Sequence, residues 1–460
     1  MRTILLAVLF LIPIFSLAQK QPALSLGEVP QIRLPELDNE ALKAKEKERR
    51  QTGAIPAFAE THPTNISPEA HGIWTYAKSG TATWRLRIYS KGAKSLNFGF
   101  TQYFMPEGGE LLLYTPDRKV VKGPFSVSEN NSDKQLWTPI VAGEEVVLEV
   151  QLPLEKKEEL ELHLSAVNHD FMGFESLLSQ RCNLDVNCGT EDGWDIINPY
   201  RDIIKSVGLY SLNGRLSCTG FLVNNARQDC TPYYMTAAHC GVTARNAASL
   251  VVYWNFENST CRPVNSALSG QNGDGNLEQF NTGARLIADN GASDMTLLQL
   301  NTPVADSVGA FYAGWNNSPM APDTVISIHH PSTDEKRISF SYQKTAIGRR
   351  EGIVEETGQF IIVPNWDVGT TEGGSSGGPL FNTAGEVVGQ LFGGLASCNN
   401  PEFDSYGRIF NSWEGNETPD TRLKDWLDPE GLGLTRLKGM YKTDCDRQIR
   451  PSVFQELICA

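Results

Sequence analysis

The first 181 residues of this 460-residue chain contain no cysteine; all nine cysteines lie at or beyond Cys182. Disulfides can therefore shape only the later part of the chain, and the break marks a boundary between two differently built regions. Basic charge is also scarce. Forty Lys and Arg stand against 54 Asp and Glu, a formal net charge of −14. That balance argues against a nucleic-acid partner, which needs a basic face to displace counterions. It suits a soluble enzyme that mildly attracts basic peptides. Long apolar runs are missing except at the start, where Met1-Arg2-Thr3 precedes an apolar stretch at 4–15 and the small residues Ser16-Leu17-Ala18. This is the pattern of an export signal at 1–18, cut after Ala18, and it is too short to span a bilayer. The expectation is an exported, soluble, monomeric protein with no membrane span. No CxxC pair offers a zinc site, and no internal repeat is present.

What is there divides along the chain. Residues 19–65 form a polar arm, with an Ala/Lys/Glu-rich solvated helix over about 37–50. From about His71 short alternating runs take over, such as Trp84-Arg85-Leu86-Arg87-Ile88 and Leu160-Glu161-Leu162-His163-Leu164. Turn signals such as Pro106-Glu107-Gly108-Gly109 separate them, a rhythm that predicts an antiparallel β-sandwich over 66–170. Placed after an export signal and lacking cysteine, it reads as a pro-domain; the other reading is a retained accessory module. A linker at 171–181 follows, then a second strand-rich, Gly-punctuated region at 182–430 and a tail at 431–460. The segment Thr418-Pro419-Asp420, with Leu423, Trp426 and Leu427 beyond it, predicts a short C-terminal helix.

The chemistry concentrates in the second region. Glu372-Gly373-Gly374-Ser375-Ser376-Gly377-Gly378-Pro379-Leu380 places a serine inside a glycine run ahead of a strand. Glycines let the backbone turn N–H groups toward one point, as an oxyanion hole requires. Alone, a flexible Gly/Ser loop explains the run as well. Two further segments decide between them: Tyr233-Tyr234-Met235-Thr236-Ala237-Ala238-His239-Cys240, and Ser293-Asp294-Met295-Thr296-Leu297-Leu298. The order His239, Asp294, Ser376 is one of the known orders of a serine triad.

Together these motifs resemble the chymotrypsin-fold serine peptidases, and more closely the bacterial lysyl endopeptidases. The likeness runs from about 182 to 429 and includes Cys182-Asn183-Leu184-Asp185-Val186, Ile328-His329-His330-Pro331, Glu335-Lys336-Arg337-Ile338-Ser339 and Tyr406-Gly407-Arg408-Ile409-Phe410. It implies an all-β chain: a chymotrypsin-like double β-barrel with a C-terminal helix, preceded by the sandwich as pro-domain. It implies catalysis by His239, Asp294 and Ser376, with the backbone N–H groups of Gly374 and Ser376 as oxyanion hole, and no cofactor. It implies bridges Cys182–Cys398, Cys188–Cys261 and Cys218–Cys240. Of the remaining cysteines, Cys445 and Cys459 are read as a local tail bridge, leaving Cys230 free.

Specificity is read the same way. The position six residues before the nucleophile, where a trypsin-like enzyme carries its pocket aspartate, is Thr370. In lysyl endopeptidases the acid lies just before Tyr-Gly-Arg, which is Asp404 here; Phe392, Gly393 and Gly394 would form the pocket wall. The implied activity is hydrolysis after lysine in protein substrates. Alternatives are a peptidase that also takes arginine or broader residues, and a catalytically silent binding protein. The family's pocket histidine is replaced by Phe392, and its tryptophan partner would fall near Arg350. Trp366 is either a cleft or a core residue. His329 and His330 are adjacent on a strand and point to opposite faces, so they read as structural rather than as metal ligands. The turn Asn272-Gly273-Asp274-Gly275-Asn276 lacks the later ligands of a calcium loop. No lysine lies just before Cys182, so maturation is expected between about 170 and 181 by another protease.

Overall fold

The computed structural model describes residues 25–400 and 402–448. The export signal at 1–18 and Cys459 lie outside the described residues.

The N-terminal region packs two sheets face to face. In the first, Thr81–Tyr89 lies antiparallel between Ile73–Tyr76 and Glu145–Pro153, which pairs onward with Glu110–Tyr114. Ala82, Trp84, Leu86 and Ile88 alternate inward and are buried, as the period of two dictates. The outward Arg85 and Arg87 reach across to Glu149 at 2.6 Å and Glu145 at 2.5 Å. The second sheet is centred on Ser95–Phe104 and Glu161–Asp170. Its Phe98, Phe100 and Leu162 meet Trp84, Leu86 and Leu148 in one apolar core.

The sandwich begins before position 66. Ala59–Ile66 forms the edge of the second sheet, and Gln31–Arg33 pairs in parallel with Thr81–Tyr89. Neither segment shows clear alternation, and Pro63 belongs to an edge strand because it cannot donate to the ladder. The helix Asn39–Arg50 is capped by Asp38, whose carboxylate accepts the N–H groups of Glu40 and Ala41, each at 3.1 Å. It is not a free solvated arm: its Glu46 is buried.

The C-terminal region is the chymotrypsin-like double β-barrel. Among the described residues one seven-stranded sheet includes Val207–Leu212, Leu216–Leu222, Tyr233–Ala237 and Met295–Leu300. The other is built on Val325–His329, Arg337–Ser341, Pro379–Phe381, Glu386–Gly394 and Asp404–Arg408. Several of these strands are buried at every residue, including Val207–Leu212 and Arg337–Ser341. Met235, Leu297, Ile328, Phe340 and Trp315 fuse the barrels into one core, against which Leu423 and Leu427 also pack. The predicted helix is a 3-10 turn at Pro419–Thr421 and a short helix at Lys424–Leu427.

Three disulfides join Cys182–Cys398, Cys188–Cys261 and Cys218–Cys240, as the resemblance implies. A fourth corrects the sequence reading: Cys445 bonds to Cys230, not to Cys459. The tail strand Met440–Tyr441 pairs with Phe311–Tyr312 and carries Cys445 back to the first barrel. That return spans 215 residues, so local spacing could not reveal it.

The two regions share a buried apolar seam. Phe58, Ile140 and Phe174 pack with Leu209, Tyr253 and Phe256 of the first barrel. The Tyr253 hydroxyl accepts the Ile140 N–H at 3.1 Å.

Candidate active site

The strand Tyr233–Ala237 ends in a 3-10 turn, Ala238–Cys240, which the Cys218–Cys240 bridge ties to the neighbouring strand. His239 sits on this turn. Asp294 stands at the mouth of Met295–Leu300 in the left-handed region, φ 55°, where its side chain folds back toward the turn. Its Oδ2 lies 2.9 Å from His239 Nδ1, and its Oδ1 accepts the His239 backbone N–H at 2.9 Å. The second barrel braces it from behind, with Gln390 Nε2 donating to the carbonyls of Ser293 and Asp294 at 2.8 and 3.0 Å. With Nδ1 held by the carboxylate, Nε2 is the nitrogen left for the cleft.

Ser375 and Ser376 part company. Ser375 is buried, its Oγ 2.9 Å from His329 Nδ1, and it accepts the Glu372 N–H at 3.1 Å. Ser376 lines the same cavity as His239, a space of about 1180 Å³, and its hydroxyl makes no hydrogen bond to His239 or to any other described residue. Catalytic contacts of this kind are commonly long until substrate is bound. The loop around it is tied back to Thr219 of the first barrel: Thr219 Oγ1 donates to the Gly374 carbonyl at 2.8 Å, and the Thr219 N–H donates to the Ser376 carbonyl at 2.9 Å. The N–H groups of Gly374 and Ser376 donate to no acceptor among the described residues. Gly374 holds φ +100°, and a Cβ there would meet the Thr333 backbone at 2.9 Å. Two free donors fixed beside a hydroxyl are the arrangement an oxyanion requires.

Asp404 is 1 % exposed. Its Oδ2 accepts Trp366 Nε1 and Thr371 Oγ1, each at 2.7 Å, while Oδ1 has no partner among the described residues. Burial pushes its carboxyl up to about 6, against the lowering effect of those two donors and of the nearby Ala396 backbone N–H. It lies directly behind the cavity wall: a Cβ on Gly394 would meet Asp404 Oδ1 at 2.6 Å. Gly393, Gly394 and Thr371 line the cavity. Thr370 is buried and turned away, its N–H donating to Asn183 Oδ1 at 3.3 Å. Phe392 packs edge-on against His239, ring centres 5.2 Å apart, and the Arg350 guanidinium lies over the Phe392 ring at 5.8 Å.

The adjacent histidines take separate partners. His329 bonds Ser375 and Ser339, and His330 Nδ1 meets the Asp334 carbonyl at 2.9 Å. Burial drives both imidazoles down to about 3, so both are neutral. In the 272–276 turn the Asp274 carboxylate accepts the backbone N–H and the hydroxyl of Ser259. Sequence reasoning missed Thr219 and Glu372, which hold the nucleophile loop, and missed that Ser375 depends on His329. It also missed that the N-terminal arm lines the cavity through Arg49, Arg50 and the run from Thr52 to Pro56. None of these carries a local signal.

Two family models match. One, described as "Lysyl endopeptidase, C-terminal domain", covers residues 178–407; the other, "Lysyl endopeptidase N-terminal domain", covers 25–171. A lysyl endopeptidase of Pseudomonas aeruginosa is 26% identical over 350 residues, 71% of this chain and 72% of that protein. Among solved structures, the Rv3671c protease from M. tuberculosis in its active form is 17% identical with a TM-score of 0.29, covering 46% of this chain and 78% of that one. The HtrA-type protease AlgW with tripeptide is 15% identical with a TM-score of 0.31, covering 46% and 58%. At such scores these likenesses bear on neither substrate nor mechanism.

Proposed function

The chain belongs to the lysyl endopeptidase family and is a serine endopeptidase, and from that premise we propose that it cleaves polypeptides on the carboxyl side of lysine, after export, using Ser376, His239, Asp294 and Asp404. Ser376 Oγ attacks the scissile carbonyl while His239 Nε2 takes its proton. Asp294 keeps the imidazole in the tautomer that exposes Nε2 and stabilises the imidazolium that forms. The tetrahedral oxygen receives the N–H groups of Gly374 and Ser376, each worth about 3–4 kcal/mol where such donors have been removed. His239 then returns its proton to the leaving amine, and water repeats the sequence on the acyl-enzyme.

The observation that carries the lysine reading is the buried Asp404 carboxylate, with one oxygen satisfied by Trp366 and Thr371 and the other bare behind Gly394. An ammonium reaching that oxygen pairs a charge already desolvated, whereas a neutral side chain leaves it unpaired. The disulfides suit an oxidising compartment, and no helix among the described residues is long and apolar enough to cross a membrane. The N-terminal region acts as a pro-domain. Digestion of a denatured protein with the purified mature enzyme, followed by sequencing of the new C-termini, tests the reading. Lysine alone is the expected result; lysine with arginine, or other residues, would overturn the pocket assignment.

A further inference from the structure

Between the helix Asn39–Arg50 and the strand Ala59–Ile66 the chain crosses the mouth of the active-site cleft. There it binds as an added strand. Ala57 forms an antiparallel bridge with Leu216. The Ser217 N–H donates to the Pro56 carbonyl at 3.0 Å, and the Phe58 N–H donates to the Arg215 carbonyl at 2.9 Å. An extended peptide docked on a strand edge makes this ladder. The edge continues into Cys218, whose bridge to Cys240 leads to His239. Pro56 is buried against the nucleophile loop, its Cγ 3.6 Å from where a Cβ on Gly373 would stand. The preceding turn does not fill the pocket. It stands off from Phe392, Gly393 and Gly394 and walls the cavity that Ser376 and His239 face.

One buried carboxylate holds this crossing in place. Glu46 is 4 % exposed and accepts Arg49 Nε at 2.7 Å, Arg50 Nε at 2.9 Å and the Ala57 N–H at 2.9 Å. Arg49 also donates to the Ile55 carbonyl. Glu46 thus closes the turn on itself and delivers Pro56 and Phe58 to the strand edge. Between Lys47 and Lys78 the chain contains no lysine.

We propose that residues 52–58 are a built-in occupant of the cleft: a lysine-free peptide, a turn running into an extended stretch at 56–58, that covers the side where the leaving half of a substrate would lie. A lysine seated against Asp404 puts its carbonyl at Ser376, and the chain beyond it must pass Gly373 toward the Arg215–Ser217 edge, which the strap already holds. Polypeptides are excluded, while the cavity between strap and pocket stays open to small molecules. Without a lysine the strap is not itself cut. This inference rests on the roles given to Ser376 and Asp404 under the proposed function.

The test uses the full chain and two strap variants, Glu46→Ala and the double variant Arg49→Ala/Arg50→Ala. Each is read with a small fluorophosphonate that labels an active serine and with a denatured polypeptide. The expected result is that all three label at Ser376, while polypeptide cleavage rises roughly 10²-fold in the variants, as loss of a buried ionic anchor predicts. Equal polypeptide cleavage by the full chain and both variants overturns the proposal. Labelling of the variants but not of the full chain overturns the assignment of the strap to the leaving half, because the whole site is then closed. Absence of labelling in all three removes the nucleophile and the inference with it. Cleavage released by the variants, but after residues other than lysine, sustains the strap and sinks only the pocket.

Discussion

The two halves of this chain are held together by opposite means. The region before Cys182 has no cysteine, and its core comes from alternation across two facing sheets, with its arginines paired from the outward side and few carboxylates buried, Glu46 and Glu149 among them. The region beyond it has four disulfides among the described residues, strands buried on both faces and an ionic network in its interior. Arg337, fully buried, lies 2.6 Å from Asp185 and 2.9 Å from Asp334, and Arg262 joins Asp185 to Glu335, each at 2.6 Å. A buried ion pair is seldom a net gain over an apolar core, but it leaves a costly unpaired charge when broken. The second half is therefore intolerant of partial opening and cross-linked against it. The first half is an ordinary sandwich that can be cut or unfolded without a covalent tether of its own. That contrast suits a region that restrains and a region that performs chemistry in a proteolytic setting.

The hardest test of that division is chemical. In a strap-released background Ser376→Ala lowers turnover by at least ~10⁴-fold, while Ser375→Ala, which removes a buried hydroxyl shared between His329 and the Glu372 N–H, costs far less. Equal losses in an assay of lysyl ester hydrolysis would erase the distinction between the two serines. Next, the variant Cys182→Ala/Cys398→Ala opens a loop of sequence separation 216, a loss of about 5 kcal/mol in the chain-entropy model. Hydrogen exchange resolved by segment should lose protection in Val325–His329 and Asp404–Arg408 before Thr81–Tyr89; loss spread evenly would deny the two halves separate supports.

A smaller effect comes from the pocket. Asp404→Asn lowers kcat/KM for lysyl substrates by about 10²–10³-fold while fluorophosphonate labelling persists. The pH dependence has a defined sign. Burial raises this carboxyl to about 6, so the folded chain holds its proton more tightly than the unfolded chain, and stability falls as pH rises from about 4 through 6. The Asn variant escapes that loss and melts higher at pH 7.5. In the parent, KM for lysyl substrates rises as pH drops below about 6; a flat profile would deny Asp404 its role. A last contrast, in stability rather than activity, sets two arginines side by side. Arg337→Ala destabilises by about 3–5 kcal/mol, whereas Arg87→Ala, losing an outward cross-strand pair, costs under about 1 kcal/mol. Equal shifts in urea midpoint would dissolve the difference between the halves.

Much of this was legible in the residues. Thr81–Tyr89 announces itself because only one face is buried, and alternation is then forced. The helix Asn39–Arg50 follows from propensity and the Asp38 cap. The segments bearing His239, Asp294 and Ser376 are recognisable because that chemistry needs those residue types beside small neighbours. What escaped was long-range. Ala59–Ile66 carries Pro63 and shows no alternation, so only its pairing with Glu161–Asp170 makes it a strand. Cys230 meets Cys445 because a tail strand returns across the molecule. Glu46 reads as one acid in a charged helix until Arg49, Arg50 and the Ala57 N–H converge on it. Trp366 stayed ambiguous between core and cleft; it is buried in the cluster with Val325 and Tyr406, outside the lining of the Ser376 cavity, and donates to Asp404.

On the proposal that residues 52–58 block the cleft of a pro-form, the seam formed by Phe58, Phe174, Leu209 and Tyr253 would set the order of events in activation. Pulling the halves apart would wet a whole oily face at about 25 cal/mol for each Å² exposed, and nothing would stop them from snapping back. Nicking the short span that roofs the cleft exposes almost nothing and cannot be undone. On that proposal the enzyme would wake while still wearing its former guard.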